Sequence, residues 1–219
     1  MTYSILARDP GTGEIGGAVA TGTPSAGGFV LHMAAGIGAI ATQGFSTNTL
    51  YGPHGLRLME DGLDAQTVLR TLTEADAGRD HRQIVVMDHT GAAAGWTGAA
   101  NVEPMAHLCA PGLAVAANWV ASGRVAGAMR DAFVDSAGAP LEERLLAALE
   151  AGEAEGGDAR GIRSAALRIV SRDRPPVDIR ADYDDRPIQA LREIARHWAE
   201  PGFRAFLDRL PTLEAPHRH

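Results

Sequence analysis

The chain has 219 residues, of which 45% are hydrophobic and 21% charged, enough for one sizeable core and short for two independent domains. A net charge of −7 with no basic run argues against a sequence-independent nucleic-acid binder. All 20 basic residues are arginine, so the absence of lysine excludes Schiff-base lysines, a lysine-bearing phosphate loop and a Ser-Lys dyad.

Taken in chain order, residues 2–7, 15–21, 29–33 and 38–42 are short apolar or alternating runs, separated by turn-rich Asp9–Gly13 and Gly22–Gly28. They predict sequential antiparallel strands. Two helices follow, one over 53–61 with Pro53 in its first turn, the other over 64–75 with Asp64 as N-cap and Val68, Leu69 and Leu72 on its apolar face. Further strands are predicted over 82–88, 93–97, 105–110 and 113–119, helices over 122–134 and 141–153, strands over 164–171 and 177–182, and a helix over 187–198. This block order predicts α+β layers, a four-layer sandwich with helices outside two antiparallel sheets, over one domain at 1–210 and a loose polar tail at 211–219.

No apolar stretch reaches the length of a membrane span and the first residues lack a signal-peptide pattern, so neither membrane contact nor export is expected, and the cytoplasm is the expected location. The single cysteine, Cys109, cannot form an internal disulfide, and its strand-end setting predicts a buried thiol. The eight histidines include no helical i, i+4 pair, so no metal site is expected. Gly36-Ile37-Gly38-Ala39-Ile40-Ala41 matches a dinucleotide-loop pattern but opens no helix, which argues against a nucleotide cofactor. Gly44-Phe45-Ser46-Thr47-Asn48 lacks the second glycine and the helix of a nucleophile elbow. The stretch 42–48 is dense in hydrogen-bonding side chains, as either a substrate loop or a self-satisfied turn would be. Asp158 and Arg160, in a glycine-flanked loop, either face a pocket or tie the turn together.

The N-terminus carries the sharpest chemical signal. Removal of Met1 would leave Thr2 at the tip of a strand, with a hydroxyl nucleophile and, on the same residue, a free α-amine of pKa about 7.7–8 to act as its base. Ser4 alternates onto the same face as Thr2.

These stretches resemble a bacterial and archaeal family, domain of unknown function 1028, placed among proteins with the N-terminal-nucleophile hydrolase fold. Its opening Thr-Phe-Ser-Ile-Val-Ala-x-Asp is matched by residues 2–9, its Gly-Val-Gly-Ala-Val-Ala-Thr-Gln by residues 36–43, and its Tyr-Gly-Pro-x-Gly-Leu by residues 51–56. Its Gly-Gly-Asp-x-Arg-Gly-x-x-Ser-Ala-Ala-Leu is matched by residues 156–167. The chain departs at Gly22–Gly27, where relatives carry a bulky Ser-Lys-Phe-Phe-like stretch, and at Asp185-Arg186, where they have Asp-His. The resemblance implies an αββα fold, and the enzyme reading that goes with it is an amidohydrolase acting on a small non-peptide C–N bond; no cofactor is expected. Thr2 would then be the nucleophile, Ser4 would orient its amine, and Asn118 or a backbone N–H would hold the oxyanion. Gln43, Ser46 and Asn48, with Asp158 and Arg160, would contact a small-molecule substrate. The competing reading is a non-catalytic ligand-binding or assembly domain with the same fold, and a second copy of the chain is a candidate partner.

Overall fold

The computed structural model describes residues 2–219. Ten strands alternate in blocks with six helices: β1 (Thr2–Arg8), β2 (Ile15–Thr21), β3 (Leu31–Ala34), β4 (Gly38–Gly44), α1 (Tyr51–Glu60), α2 (Ala65–Glu74), β5 (Arg82–Asp88), β6 (Ala93–Thr97), β7 (Met105–Ala110), β8 (Leu113–Asn118), α3 (Val125–Asp135), α4 (Leu141–Ala154), β9 (Ser164–Val170), β10 (Val177–Ala181), α5 (Pro187–Trp198) and α6 (Pro201–Leu207). One sheet has the order β10-β9-β2-β1-β8-β7, the other β3-β4-β5-β6, and all neighbouring strands are antiparallel. None of the described helices is long and apolar enough to cross a membrane.

Three apolar layers separate four structural ones. Tyr3, Ile5, Val115 and Leu167 meet Leu145 and Leu149 between the six-stranded sheet and α3–α5. Leu6, Val19 and Ala116 meet Ala41 and Val85 between the sheets. Ile40, Ile84 and Val86 meet Val68 and Leu72 beneath α1 and α2. Each large aliphatic side chain so buried contributes about 1.5–3 kcal/mol. The result is the αββα sandwich that the block order predicts. Asp64 caps α2 as expected, its Oδ1 accepting the Thr67 N–H at 2.7 Å.

The structure corrects one expectation of pairing. The first four strands are not successive neighbours in one sheet: β2 pairs with β1 and β9, while β3 opens the second sheet. Both edges of β2 are thereby occupied, and the glycine-rich segment after it spans the roughly 10 Å between sheets. Within that segment Ser25 adopts φ 60°, in the left-handed region, before a 3-10 turn at Ala26–Gly28. A second correction concerns Cys109. β7 is an edge strand whose second half is left uncovered, so this residue is exposed. Its sulfur still lies near Gly95, and partial burial pushes the thiol up.

The helix α6 carries no apolar periodicity long enough to have predicted it. The segment 211–219 forms neither helix nor strand, and Glu214 donates its N–H to the Arg172 carbonyl at 3.0 Å.

Candidate active site

β1 is central in the six-stranded sheet, and its alternation sends Tyr3, Ile5 and Ala7 to the helices and Leu6 to the second sheet. Thr2 and Ser4 share the face of Leu6, so both point between the sheets. In register, Thr2 stands opposite Thr21 on β2 and Asn118 on β8. The inter-sheet core thus changes from aliphatic to polar over its last two rows. Thr2 is 7% exposed, and its Oγ1 lies 3.1 Å from Thr21 Oγ1. Thr23 Oγ1 follows 3.5 Å beyond Thr21 Oγ1.

Beneath this row lies a buried network of amides. Gln43 on β4 and Gln83 on β5 are directly paired, and both are fully buried. Ser4 Oγ donates to Gln43 Oε1 at 2.7 Å, and Gln43 Nε2 donates to the Thr2 carbonyl at 3.1 Å and to Gln83 Oε1 at 2.7 Å. Asn118 Nδ2 donates to the same Gln83 oxygen at 2.9 Å. Gln83 Nε2 donates to Thr97 Oγ1 and to the carbonyls of Ala106 and Ala117, at 2.9–3.1 Å. Three acceptors around that nitrogen and two donors around its oxygen determine the orientation of the amide. In a dry interior such a network is stable only because its members satisfy one another. Its effect is to hold the Thr2 carbonyl, and so the tip of β1, in one position.

Asp158 and Arg160 join the site from a third loop. Asp158 is 2% exposed, its Oδ2 accepts the N–H of Gly22, next to Thr21, and the residue bridges to Val120, two after Asn118. Arg160 donates to Asp158 through its backbone N–H at 2.9 Å, Nε at 3.3 Å and Nη2 at 3.2 Å. Its guanidinium lies 5.4 Å from the centre of the Trp119 ring. Trp119 has φ 53°, a left-handed conformation that costs a non-glycine residue about 1–3 kcal/mol and turns the chain out of β8.

The structure therefore brings together Thr2, Ser4, Gln43 and Asn118, with Asp158 and Arg160 at the rim. Ser4 is committed to Gln43, and Gln43 has both amide ends engaged by the protein. Asn118 keeps one N–H uncommitted among the described residues. Ser46 and Asn48 gather elsewhere, on the helix side of the four-stranded sheet. Arg82 Nη1 donates to Ser46 Oγ at 2.7 Å, while Asp76 Oδ2 accepts from Asn48 Nδ2, Tyr51 Oη and Arg82 Nε at 2.8–3.1 Å. Burial opposes the charge of Asp76, but these bonds and the Gly78 N–H outweigh it and hold the carboxyl well below the usual carboxylate range. Asn48 and Asp76 line a groove of about 530 Å³ with Tyr51, His54, Arg57 and Leu72. Gly36 and Gly38 belong to the β3–β4 turn and its first strand residue, which is no dinucleotide loop.

Gln83, Thr21 and Trp119 were not legible as site residues. Gln83 had one local signal, a polar side chain two positions before Val85 and four before Met87, both of which point between the sheets. Met1, whose removal the nucleophile reading needs, lies outside the described residues.

Comparison with known proteins adds the following. No curated protein matches the chain. Protein SPO2555 from Silicibacter pomeroyi is similar to it with 37% identity and a TM-score of 0.93, over 99% of this chain and 98% of that one. Anbu, an ancestral β-subunit from Yersinia bercovieri, gives 13% identity and a TM-score of 0.41, over 96% of this chain and 99% of that one. A family model described as a family of unknown function, DUF1028, matches residues 2–191, and the chain belongs to that family.

Proposed function

We propose that the chain is an N-terminal-nucleophile amidohydrolase that cleaves a small non-peptide C–N bond through Thr2. The observation that carries this reading is the position of Thr2 at the end of a central strand. Its hydroxyl is 3.1 Å from that of Thr21, and its carbonyl is pinned by Gln43.

Once Met1 is removed, the α-amine takes the proton of Thr2 Oγ1 as that oxygen attacks the amide carbon. The tetrahedral oxyanion is met by the uncommitted N–H of Asn118, and one such donor contributes about 3–4 kcal/mol. The C–N bond then breaks, the departing amine takes the proton from the α-ammonium, and an ester to Thr2 remains. Water, deprotonated by the same α-amine, hydrolyses that ester and returns the proton to Oγ1. The rigid amide network keeps the strand tip in place throughout, which is the positional precision that acyl transfer needs. Ser4 acts through Gln43, as a support.

The test is the intact mass of untagged protein before and after exposure to a β-lactone that acylates N-terminal threonines. Loss of Met1 and a single adduct on Thr2, absent in Thr2→Ala, is the expected result. Retained Met1 with no adduct would sink the assignment and favour a ligand-binding domain.

A further inference from the structure

The rim of the site holds a guanidinium in a fixed place with one edge open. Asp158 accepts from Nε and Nη2 of Arg160, while Nη1 bonds to nothing among the described residues, and the side chain is 41% exposed. Asp158 also accepts the Gly22 N–H, so the loop is already tied to the end of β2 without the arginine side chain. The Arg160 side chain ties the turn through Nε and Nη2, and its Nη1 is left over from that task. A buried carboxylate on one edge and the Trp119 ring against the guanidinium restrict its rotation, so little conformational freedom is left to lose on binding.

The position relative to Thr2 follows from the backbone. Thr21 and Asn118 flank Thr2; Gly22, next after Thr21, donates its N–H to Asp158, and Val120, two after Asn118, bridges to the same residue. A second arginine, Arg163, donates its N–H to the Thr21 carbonyl at 2.8 Å, and its guanidinium pairs with Asp185, which is 89% exposed. Two ion pairs thus stand beside this strand end, Arg160 with Asp158 and Arg163 with Asp185, and the Glu153 carboxylate lies close enough to act on Tyr3. Only Asp158 is buried behind its partner. The open Nη1 edge of Arg160 presents donors of the geometry that a carboxylate accepts.

We propose that Arg160 binds a carboxylate of the substrate, so that the amide processed at Thr2 carries a free acid group. The identity of the reacting bond rests on the function proposed above; the anion contact rests on Arg160, Asp158 and Trp119.

Two probes of equal length separate the possibilities: glutaryl-4-nitroanilide, with a free carboxylate, and its terminal carboxamide counterpart. Calorimetric titration into the Thr2→Ala protein, which cannot turn them over, is expected to give roughly tenfold tighter binding of the acid. In the same background Arg160→Gln should bring the ratio of the two affinities to about one, and Arg160→Lys should restore only part of it, because an ammonium lacks the planar fork. Equal affinity for both probes, a ratio that Arg160→Gln leaves unchanged, or no binding of either probe at millimolar concentration overturns the proposal. The β-lactone adduct is scored separately on protein with Thr2 intact. An adduct without acid preference retains the nucleophile and removes the carboxylate site, whereas acid preference without an adduct retains the carboxylate site and removes the nucleophile.

Discussion

Gln43 and Gln83 stand directly opposite each other on β4 and β5, with Nε2 of the first 2.7 Å from Oε1 of the second, and each reaches across to the other sheet. Gln43 grips Ser4 and the Thr2 carbonyl; Gln83 grips Asn118 and two carbonyls of the β7–β8 pair. Replacing Gln83 with leucine keeps the bulk but leaves several buried donors and acceptors unpaired, at a cost of about 1–3 kcal/mol for each group stranded. A fall in melting temperature on the order of 10 °C is expected. A melt within 2 °C of the parent, on the same scale, would contradict the role given to this amide.

Thr21→Val removes the hydroxyl beside Thr2 Oγ1 with little change in shape. If that contact orients the nucleophile, acylation of Thr2 by a β-lactone should slow by about tenfold, the equivalent of one hydrogen bond, with the fold unchanged. An unaltered labelling rate would place the contact outside the chemistry.

Tyr3 offers the opposite case. Its hydroxyl is buried with no hydrogen-bond partner among the described residues, and burial, with the carboxylates of Glu153 and Asp158, raises its pKa well above the usual phenol value. The family motif has phenylalanine here. Tyr3→Phe removes an unpaired polar atom and should stabilise the fold by about 1 kcal/mol in denaturant unfolding. A loss of stability would mean that the hydroxyl is satisfied by a bound water.

Two helical glycines should respond in opposite directions. At Gly55 in α1 a Cβ would lie 2.2 Å from Ile40 Cδ1 and 3.1 Å from Leu72 Cδ1, in a fully packed layer. The gain in helix propensity, about 1 kcal/mol, is smaller than an overpacking cost of 1–3 kcal/mol, so Gly55→Ala should destabilise. At Gly127 in α3 nothing lies within 4 Å of the same atom, and Gly127→Ala should stabilise by about 0.5–1 kcal/mol. Equal effects in thermal melts would refute the packing argument.

Asp76 links the 46–51 segment to α2 and β5, and its pKa is lower folded than unfolded. Its contribution is therefore full above the unfolded value of about 3.9 and is lost as pH falls through the lower folded value. Asp76→Asn should cost about 1.5–3 kcal/mol at pH 7, the range of bonds to a charged group. The gap from the parent should close as urea unfolding is taken below about pH 4. A gap constant with pH would exclude the charge as its origin.

Local chemistry wrote most of the elements into the sequence. Strand alternation, turn glycines and helix caps act over a few residues, so β5, β6, β7 and α5 lie where the pattern places them, and Thr2 shares a face with Ser4 because strand period is two. Partnership was decided by tertiary structure. β2 takes β9, from about 150 residues further along, because closing two sheets occupies strand edges that local pattern cannot assign. Gln83 reaches the site only through its register with Gln43, and Asn118 only through β8 pairing with β1. The polar stretch at 42–48 looked continuous in sequence, yet alternation across β4 sends Gln43 between the sheets, while the turn beyond carries Ser46 and Asn48 to the helix side. The residue types were present from the start; which of them meet depended on pairing between segments too distant for any local rule.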